Sequence, residues 1–417
     1  VGQLFILIQI VLGDIVHQIA HQCFGNGHVD GVHAHMIAVV SGPAERQFAQ
    51  ITGADYETAG LVGDIHQNLC AFPCLSVFKG DVVVFHALAD IAEVDAYSLG
   101  NINGAQCRAH AQRQLHGIVF RTVGGSEAID IGLRAMINPG KGEEVLIPQP
   151  SYVSYEPCAI LAGAKPVIIE LKHENEFRLT AEELEAAITE NSKILILPFP
   201  NNPTGAIMER KDLEAIAEVI EKHDLFVISD EIYSELNYNG EHVSIVCLPG
   251  MKERTILING FSKAFAMTGW RLGYATGPAA IIRQMTKIHQ FAIMCAPTTS
   301  QYAAVEALKN GEEDVLTMRE AYNQRRRYLM HAFKEMGLEC FEPFGAFYVF
   351  PCIKEFGMTS EEFATRLLQE EKVAVVPGTA FGDCGEGFLR ISYAYSLEDL
   401  KLAIGRIQEF ITRLRQK

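Results

Sequence analysis

From residue 122 onward, short apolar runs of strand length alternate with segments whose apolar residues recur at helical spacing. Strands covered on both faces are expected to be nearly unbroken apolar runs, so this pattern predicts a mainly parallel central sheet. A capping-box start at Thr180 and the periodic segment 211–222 predict helices that cross between strands. The predicted sheet strands are the runs 144–148, 166–170, 193–198, 225–229 and 255–259.

The C-terminal pattern predicts a smaller α+β domain. A long charged helix is predicted over 318–334, followed by apolar segments at 345–350 and 372–376 and by a final helix. We therefore predict an α/β fold with three parts. These are an unassigned N-terminal segment, 1–121, a large domain, 122–310, and a small domain, 311–417.

The first 121 residues have a different composition from the rest of the chain. They hold nine of the fourteen His, four of the ten Cys, four Arg and one Lys, Lys79. They lack the Glu/Lys pairs and the regular apolar stripes of surface helices. The run 81–85 is consistent with a strand, but no topology follows from it. The pairs His17/His21 and His33/His35 lack acidic or thiol partners at ligand spacing, so we predict no metal site.

Composition and charge exclude several classes of partner. The 417 residues are 48% hydrophobic, which is ample for a buried core, and the net charge is −16. Such a charge argues against nucleic acid and against an anionic membrane surface. The apolar stretch 4–12 is too short to span a bilayer, and no secretory signal is recognised. Ten scattered Cys indicate reduced thiols, so we predict a cytoplasmic protein.

Polar residues follow three of the predicted strands. Asn202 follows the run 193–198, Asp230 and Tyr233 follow 225–229, and Lys263 follows 255–259. Ligands of open parallel sheets bind beyond the carboxyl ends of the strands. A Gly-Gly-Ser turn precedes a predicted helix, and the N-terminus of a helix can bind an anion through its backbone N–H groups. Together with the polar residues after the strands, this turn indicates a phosphorylated cofactor. A nicotinamide site is disfavoured because no Gly-x-Gly-x-x-Gly motif with an acidic ribose partner is present.

Residues 122–417 resemble the class I/II aminotransferases, which are fold-type I pyridoxal-phosphate enzymes. Six strings match that family in its order. They are Thr122-Val-Gly-Gly-Ser-Glu-Ala128, Pro200-Asn-Asn-Pro-Thr-Gly205, Ser229-Asp-Glu-Ile-Tyr233, Asn259-Gly-Phe-Ser-Lys-Ala-Phe-Ala-Met-Thr-Gly-Trp-Arg-Leu-Gly273, Pro343-Phe-Gly-Ala-Phe-Tyr348 and Phe388-Leu-Arg-Ile-Ser392.

The resemblance implies a role for each matching residue. Lys263, preceded by Ser262, would be the lysine that bonds to the cofactor and then shuttles a proton. Arg271 would hold the cofactor phosphate together with a cup at a helix N-terminus. The residues of that cup would be Gly125, Ser126 and Glu127.

Other matching residues would contact the cofactor ring or the substrate. Asp230 would keep the ring nitrogen protonated, and Tyr233 with Asn202 would bond the phenolic oxygen. Tyr152 would stack on the ring, with Tyr155 as the competing choice. The substrate carboxylate would be gripped by Arg390, with Asn202 beside it.

The function implied is amino-group transfer between an α-amino acid and a 2-oxo acid by a homodimer that uses pyridoxal phosphate. Some relatives that act on acidic substrates carry Lys where this chain has Ser126, which favours aromatic or other neutral donors. A β-eliminating lyase is an alternative on the same residues. The family's N-terminal strings are not found in 1–121, so an inactive aminotransferase-like domain is a second alternative.

Overall fold

The structure, a computed structural model, describes residues 120–416. The possible strand at 81–85 and both His pairs lie outside the described residues. So does the predicted N-terminal segment, except for its last two positions.

A seven-stranded sheet forms the centre of the described chain, in the order β1-β7-β6-β5-β4-β2-β3. All five predicted runs are strands of this sheet, and they pair in parallel, which confirms the predicted α/β class. The strands are β1 (Phe120–Thr122), β2 (Glu144–Gln149), β3 (Lys165–Glu170), β4 (Ser192–Leu197), β5 (Phe226–Asp230), β6 (Thr255–Gly260) and β7 (Gly273–Thr276).

Strands β1 and β7 are antiparallel additions at one edge of the sheet, which the pattern did not predict. They have three and four residues, too few for a periodic signal. Strand β1 begins at Phe120 and therefore crosses the predicted boundary between 121 and 122.

Helices cover both faces of the sheet, because alternate residues of each strand point to opposite faces. In β4, Ile194 and Ile196 join one buried cluster, whereas Leu195 and Leu197 join the other. The first cluster packs on α1, α2 and α5, and the second on α3 and α4. The helices of this part are α1 (Gly125–Met136), α2 (Tyr155–Leu161), α3 (Ala181–Ala187), α4 (Arg210–Lys222), α5 (Ala279–Ala292) and α6 (Thr298–Asn310).

The C-terminal part has its own sheet and its own core. Helix α7 (Glu312–Met336) contains the predicted charged helix and leads to an antiparallel sheet in the order β8-β10-β9. Leu329, Phe333, Phe363 and Phe410 belong to its buried cluster. The remaining elements are β8 (Tyr348–Val349), α8 (Ser360–Glu371), β9 (Val376–Pro377), β10 (Leu389–Ser392) and α9 (Leu397–Arg415).

The strands cover only part of the predicted apolar segments 345–350 and 372–376, since β8 takes in Tyr348 and Val349 of the first and β9 takes in Val376 of the second. Proline has no N–H to donate to a ladder, and Pro351 and Pro377 stand where β8 and β9 stop. Within 120–416, no helix is long and apolar enough to cross a membrane.

Candidate active site

Residues that follow β4, β5 and β6 meet at one edge of the central sheet. These three strands are neighbours, so the loops beyond their carboxyl ends emerge side by side. The Nζ of Lys263 lies 5.6 Å from the centre of the Tyr233 ring, and its charge acts on Asp230. The predicted meeting of residues from separate strands is therefore present in the structure.

Lys263 has surroundings that favour a neutral amine. Its Nζ lies 5.7 Å from the ring centre of Phe347, and Asp230 supplies an attractive negative charge. Burial lowers the pKa of Lys263, and the positive charges of Arg390 and Arg271 lower it further, against the pull of Asp230. A lysine with a lowered pKa has more of the unprotonated form that attacks carbonyl carbon or accepts a proton.

Asp230 is a buried carboxylate at the end of β5, with 6% of its surface exposed. Its Oδ2 accepts a 2.7 Å hydrogen bond from the Tyr155 hydroxyl, and its Oδ1 accepts one from the Ile232 N–H. Burial raises the pKa of Asp230 despite these two bonds. The group is suited to hold a proton for a basic nitrogen placed against it.

Two buried tyrosine hydroxyls lie 3.1 Å apart, those of Tyr233 and Tyr348. Burial raises the pKa of Tyr233 well above its ordinary value, and the nearby Tyr348 hydroxyl raises it further. Both hydroxyls therefore stay protonated near neutral pH and can donate hydrogen bonds. Tyr348 ends one of the strings that match the family, but no role was predicted for it.

Arg390 in β10 reaches from the smaller sheet to the loop after β4. Its Nη1 donates a 3.0 Å hydrogen bond to the Asn202 Oδ1. Its guanidinium lies between the rings of Tyr348 and Phe381, whose centres are 4.6 and 4.7 Å from Cζ. The buried Nε of Arg390 has no hydrogen-bond partner among the described residues. A carboxylate bound at this edge would satisfy that donor and use the guanidinium as a fork.

An anion-binding loop lies at the N-terminus of α1. Gly124 has a φ of 92°, which suits glycine, and it provides no side chain to cap the helix. The guanidinium of Arg271 lies against it, since a Cβ on Gly124 would be 2.9 Å from Arg271 Nη2. Free backbone N–H groups at a helix start beside an arginine form a site for phosphate.

The side chains of Ser126 and Glu127, two of the predicted cup residues, contact other parts of the protein. The Ser126 hydroxyl lies 3.1 Å from that of Tyr152, which ties the loop to a half-exposed ring. The Glu127 carboxylate accepts from the Val123 N–H and pairs with the buried His289 at 2.7 Å. Among the predicted cup residues, Glu127 can therefore offer an anion its backbone N–H but not its side chain.

Ser262 takes part through its backbone, since its carbonyl accepts a 2.9 Å hydrogen bond from the Thr268 hydroxyl. This bond fixes the turn between Lys263 and Arg271. Within 120–416, no group of three or more His, Cys, Asp or Glu side chains is placed to hold a metal ion.

Comparison with known proteins gives consistent matches. The family model described as aminotransferase class I and II matches residues 109–407. A putative aminotransferase of Bacillus subtilis strain 168 is 52% identical over 290 residues, which are 70% of this chain and 75% of that protein. An aspartate aminotransferase of Pyrococcus abyssi is 49% identical over 292 residues, 69% of this chain and 75% of the relative.

The solved structures agree with the sequence matches. The crystal structure of an aromatic aminotransferase from Pyrococcus horikoshii OT3 superposes with a TM-score of 0.71 and 41% identity. The superposition covers 79% of this chain and 93% of that one.

Proposed function

This chain belongs to the class I and II aminotransferase family, and on that premise we propose that its sheet edge holds pyridoxal phosphate covalently on Lys263. Members of this family transfer amino groups between α-amino acids and 2-oxo acids. The observation that carries the proposal is the position of the Lys263 amine, which has a lowered pKa, lies within 5.7 Å of the centres of the Tyr233 and Phe347 rings, and is attracted by the charge of the buried Asp230.

The residues present fit the three polar parts of the cofactor. Lys263 offers an amine to the aldehyde, and Asp230 offers a buried carboxylate to the ring nitrogen. The loop at Gly124, with Arg271 against it, offers N–H donors and a positive charge to the phosphate. The unpartnered Nε of Arg390 remains for the carboxylate of an amino acid.

Pyridoxal phosphate supplies an aldehyde that takes up the amino group and a ring that draws electrons away from Cα. Lys263 Nζ would accept the proton from the substrate Cα and would deliver it to the carbon that carried the aldehyde, so the proton lost at one carbon is gained at the other. Asp230 would hold the proton at the ring nitrogen, and Tyr233 would donate a hydrogen bond to the phenolic oxygen. Arg390, whose Nη1 donates to Asn202 Oδ1, would hold the substrate carboxylate with Asn202 beside it and so orient the Cα–H bond toward Lys263.

We propose Tyr152, rather than Tyr155, as the residue that covers the cofactor ring. The Tyr155 ring is 3% exposed and its hydroxyl is bonded to Asp230. The Tyr152 ring is half-buried, stands at 82° to that of Tyr155, and is anchored to Ser126. Ser126, Gly125 and Glu127 would then offer the phosphate their backbone N–H groups.

Aromatic or other neutral amino acids are the proposed donors. The Arg390 guanidinium is flanked by the aromatic rings of Tyr348 and Phe381, and Ser126 stands where some acidic-substrate relatives carry Lys. A side-chain carboxylate gains most from a second cation, whereas an aromatic side chain gains from apolar rings. We expect a higher kcat/KM for phenylalanine or tyrosine than for aspartate with 2-oxoglutarate as acceptor, and the reverse order would overturn this preference.

The cofactor proposal is tested by the absorption spectrum of the purified chain with added pyridoxal phosphate, before and after borohydride. Wild type is expected to show a cofactor band that borohydride traps on Lys263, and Lys263→Ala is expected to lose it. Lys287→Ala, which changes an exposed lysine of α5, is the matched control.

Each outcome of that experiment decides between the alternatives. No Lys263-dependent band would overturn the proposal and favour the inactive domain. A band together with ammonia release in the absence of an oxo acid would favour the β-eliminating lyase.

We also propose that the chain forms a homodimer through an apolar patch made of Trp270, Phe291, Ile293, Met294 and Tyr302. Phe291 is 93% exposed and Met294 is 79% exposed, which is costly for large apolar side chains. Ser300 bonds the carbonyl of Trp270, so the patch borders the loop that contains Arg271. Sedimentation is expected to give twice the chain mass for wild type and less for Phe291→Asp.

A cytoplasmic location is proposed from the cysteines. Ten Cys are scattered along the chain, and among the described residues Cys158, Cys295, Cys340, Cys352 and Cys384 are free thiols. Cell fractionation with an antibody against the chain would test this location.

A further inference from the structure

Tyr155 makes a buried hydrogen bond to Asp230, and the proposed reaction gives this bond no role. It is the first residue of α2, and its hydroxyl donates to the Asp230 Oδ2 at 2.7 Å. The exposed fractions are 3% for Tyr155 and 6% for Asp230, so water does not compete effectively for this bond. Burial and the charge of Asp230 keep the pKa of Tyr155 well above its ordinary value, so the hydroxyl remains a donor.

The surroundings of Asp230 make this donor important. The Ile232 N–H bonds the other oxygen at 3.2 Å, and Lys263 is the nearby attractive charge. The carboxylate of the next residue, Glu231, repels the negative charge of Asp230. Ser229, Ser244 and His242 form hydrogen bonds with the Glu231 carboxylate. Burial opposes the charged form of Asp230, and the bond from Tyr155 is the largest influence that favours it.

We propose that Tyr155 is a positioning residue that acts through Asp230, keeping its carboxylate charged and aimed at the ring nitrogen of the cofactor. This inference rests on the proposed function, because it concerns the proton that Asp230 holds there. A carboxylate that loses a hydrogen-bond donor becomes a stronger base and draws the shared proton toward itself. The ring then carries less positive charge and withdraws fewer electrons from Cα, so removal of the Cα proton slows.

The first test is Tyr155→Phe in the full-length holoenzyme, which keeps the ring and removes only the hydroxyl. We expect kcat to fall by about 10- to 100-fold, the range for losing a hydrogen bond to a charged group, with little change in KM. The absorption of the bound cofactor is expected to change at a higher pH than in wild type, because a less positive ring lets the nitrogen joined to Lys263 keep its proton longer.

Tyr393→Phe is the matched control. Its hydroxyl is also buried, but it donates to the Ala346 carbonyl and not to a residue that is proposed to hold the cofactor. Both variants lose one buried hydroxyl, so a general loss of stability would affect them alike. A pH midpoint and a kcat for Tyr155→Phe that match those of Tyr393→Phe would overturn the inference.

A double-mutant cycle with Asp230→Asn separates an action through Asp230 from an independent effect. We expect Tyr155→Phe to reduce kcat by less than about threefold in the Asp230→Asn background, because the carboxylate it serves is gone. An undiminished 10- to 100-fold loss in that background would overturn the inference while leaving the proposed function intact. A wild-type chain without a Lys263-dependent cofactor band would overturn both.

Discussion

Burial moves the ionisable residues of this site toward their neutral forms. It lowers the pKa of Lys263 and raises the pKa values of Asp230 and Tyr233. Hydrogen bonds and neighbouring charges then adjust each group, as Tyr155 does for Asp230 and as Arg390 does for Lys263. Individual side chains thereby acquire acid–base properties that their residue types lack in water.

The lowered pKa of Lys263 predicts a pH-dependent stability of the cofactor-free chain. Below its folded pKa, the amine is charged in both states and folding carries the full cost of burying that charge. As pH rises through the folded pKa toward the ordinary 10.5, the folded state releases its proton first, so wild type gains stability.

Lys263→Met lacks this titration and keeps the apolar volume of the side chain. In urea unfolding without cofactor, we expect the variant to be more stable than wild type at pH 7, by on the order of 1 kcal/mol, and the difference to shrink by pH 10. A difference that grows with pH would contradict the stated cause.

Arg390 is expected to tolerate no conservative replacement. Its planar guanidinium stacks between Tyr348 and Phe381 and presents a fork to a carboxylate, neither of which an ammonium group reproduces. Arg390→Lys is expected to lower kcat/KM by roughly 100-fold, mainly through a higher KM, as measured by steady-state kinetics. Arg413→Lys, at the exposed end of α9, should change kcat/KM by less than threefold, and equal losses would refute the role.

At the element scale, the start of α1 depends on one carboxylate. Gly124 provides no side-chain cap, and Glu127 instead accepts from the Val123 N–H while pairing with His289 of α5. The same residue therefore neutralises the helix start and joins two helices on one face of the sheet. The loop that is proposed to bind phosphate is held in place by this arrangement.

Glu127→Gln is expected to lower the free energy of unfolding by about 1–2 kcal/mol, because the capping bond weakens and the buried His289 loses its charged partner. Affinity for pyridoxal phosphate should fall as well, since the loop becomes less ordered. The control is Glu182→Gln in the first turn of α3, where the exposed side chain should contribute no more than about 0.5 kcal/mol. Equal destabilisation of the two variants, measured by urea denaturation, would show that Glu127 acts only through the helix dipole.

At the scale of the whole described molecule, the site requires a close contact between the loop after β4 and the segment that leads into β8. Gly205 has a φ of 77°, and a Cβ there would lie 2.5 Å from the Pro343 Cβ and 2.9 Å from the Tyr348 carbonyl oxygen. Its carbonyl also accepts from the Gly345 N–H at 2.9 Å. This contact brings Asn202 within reach of Arg390.

Gly205→Ala is expected to lower the free energy of unfolding by about 3 kcal/mol or more, the sum of left-handed backbone strain and overpacking. Gly240→Ala isolates the strain, because Gly240 has a φ of 73° and open space around a Cβ, so about 1 kcal/mol is expected. Denaturant unfolding of the two variants gives the comparison. Similar losses at the two positions would rule out the steric part of the argument.

Much of the central sheet could be predicted because its strands are buried on both faces. Ile194, Leu195, Ile196 and Leu197 are all buried, so the run is apolar whichever face each residue serves. The capping box at Thr180 was equally local, since its two hydrogen bonds join residues three positions apart. The short strand β1 could not be predicted, because its three residues depend on pairing with β7, about 150 positions later.

The sequence by itself determined the family, the parallel sheet and the residue types at the carboxyl ends of its strands, because continuous burial and short motifs are local properties. Only the tertiary structure decided which of those residues touch. The bond from Tyr155 to Asp230 spans 75 positions, and that from Arg390 to Asn202 spans 188. Such contacts depend on how whole elements pack, and packing also sets the burial that shifts the pKa of Lys263.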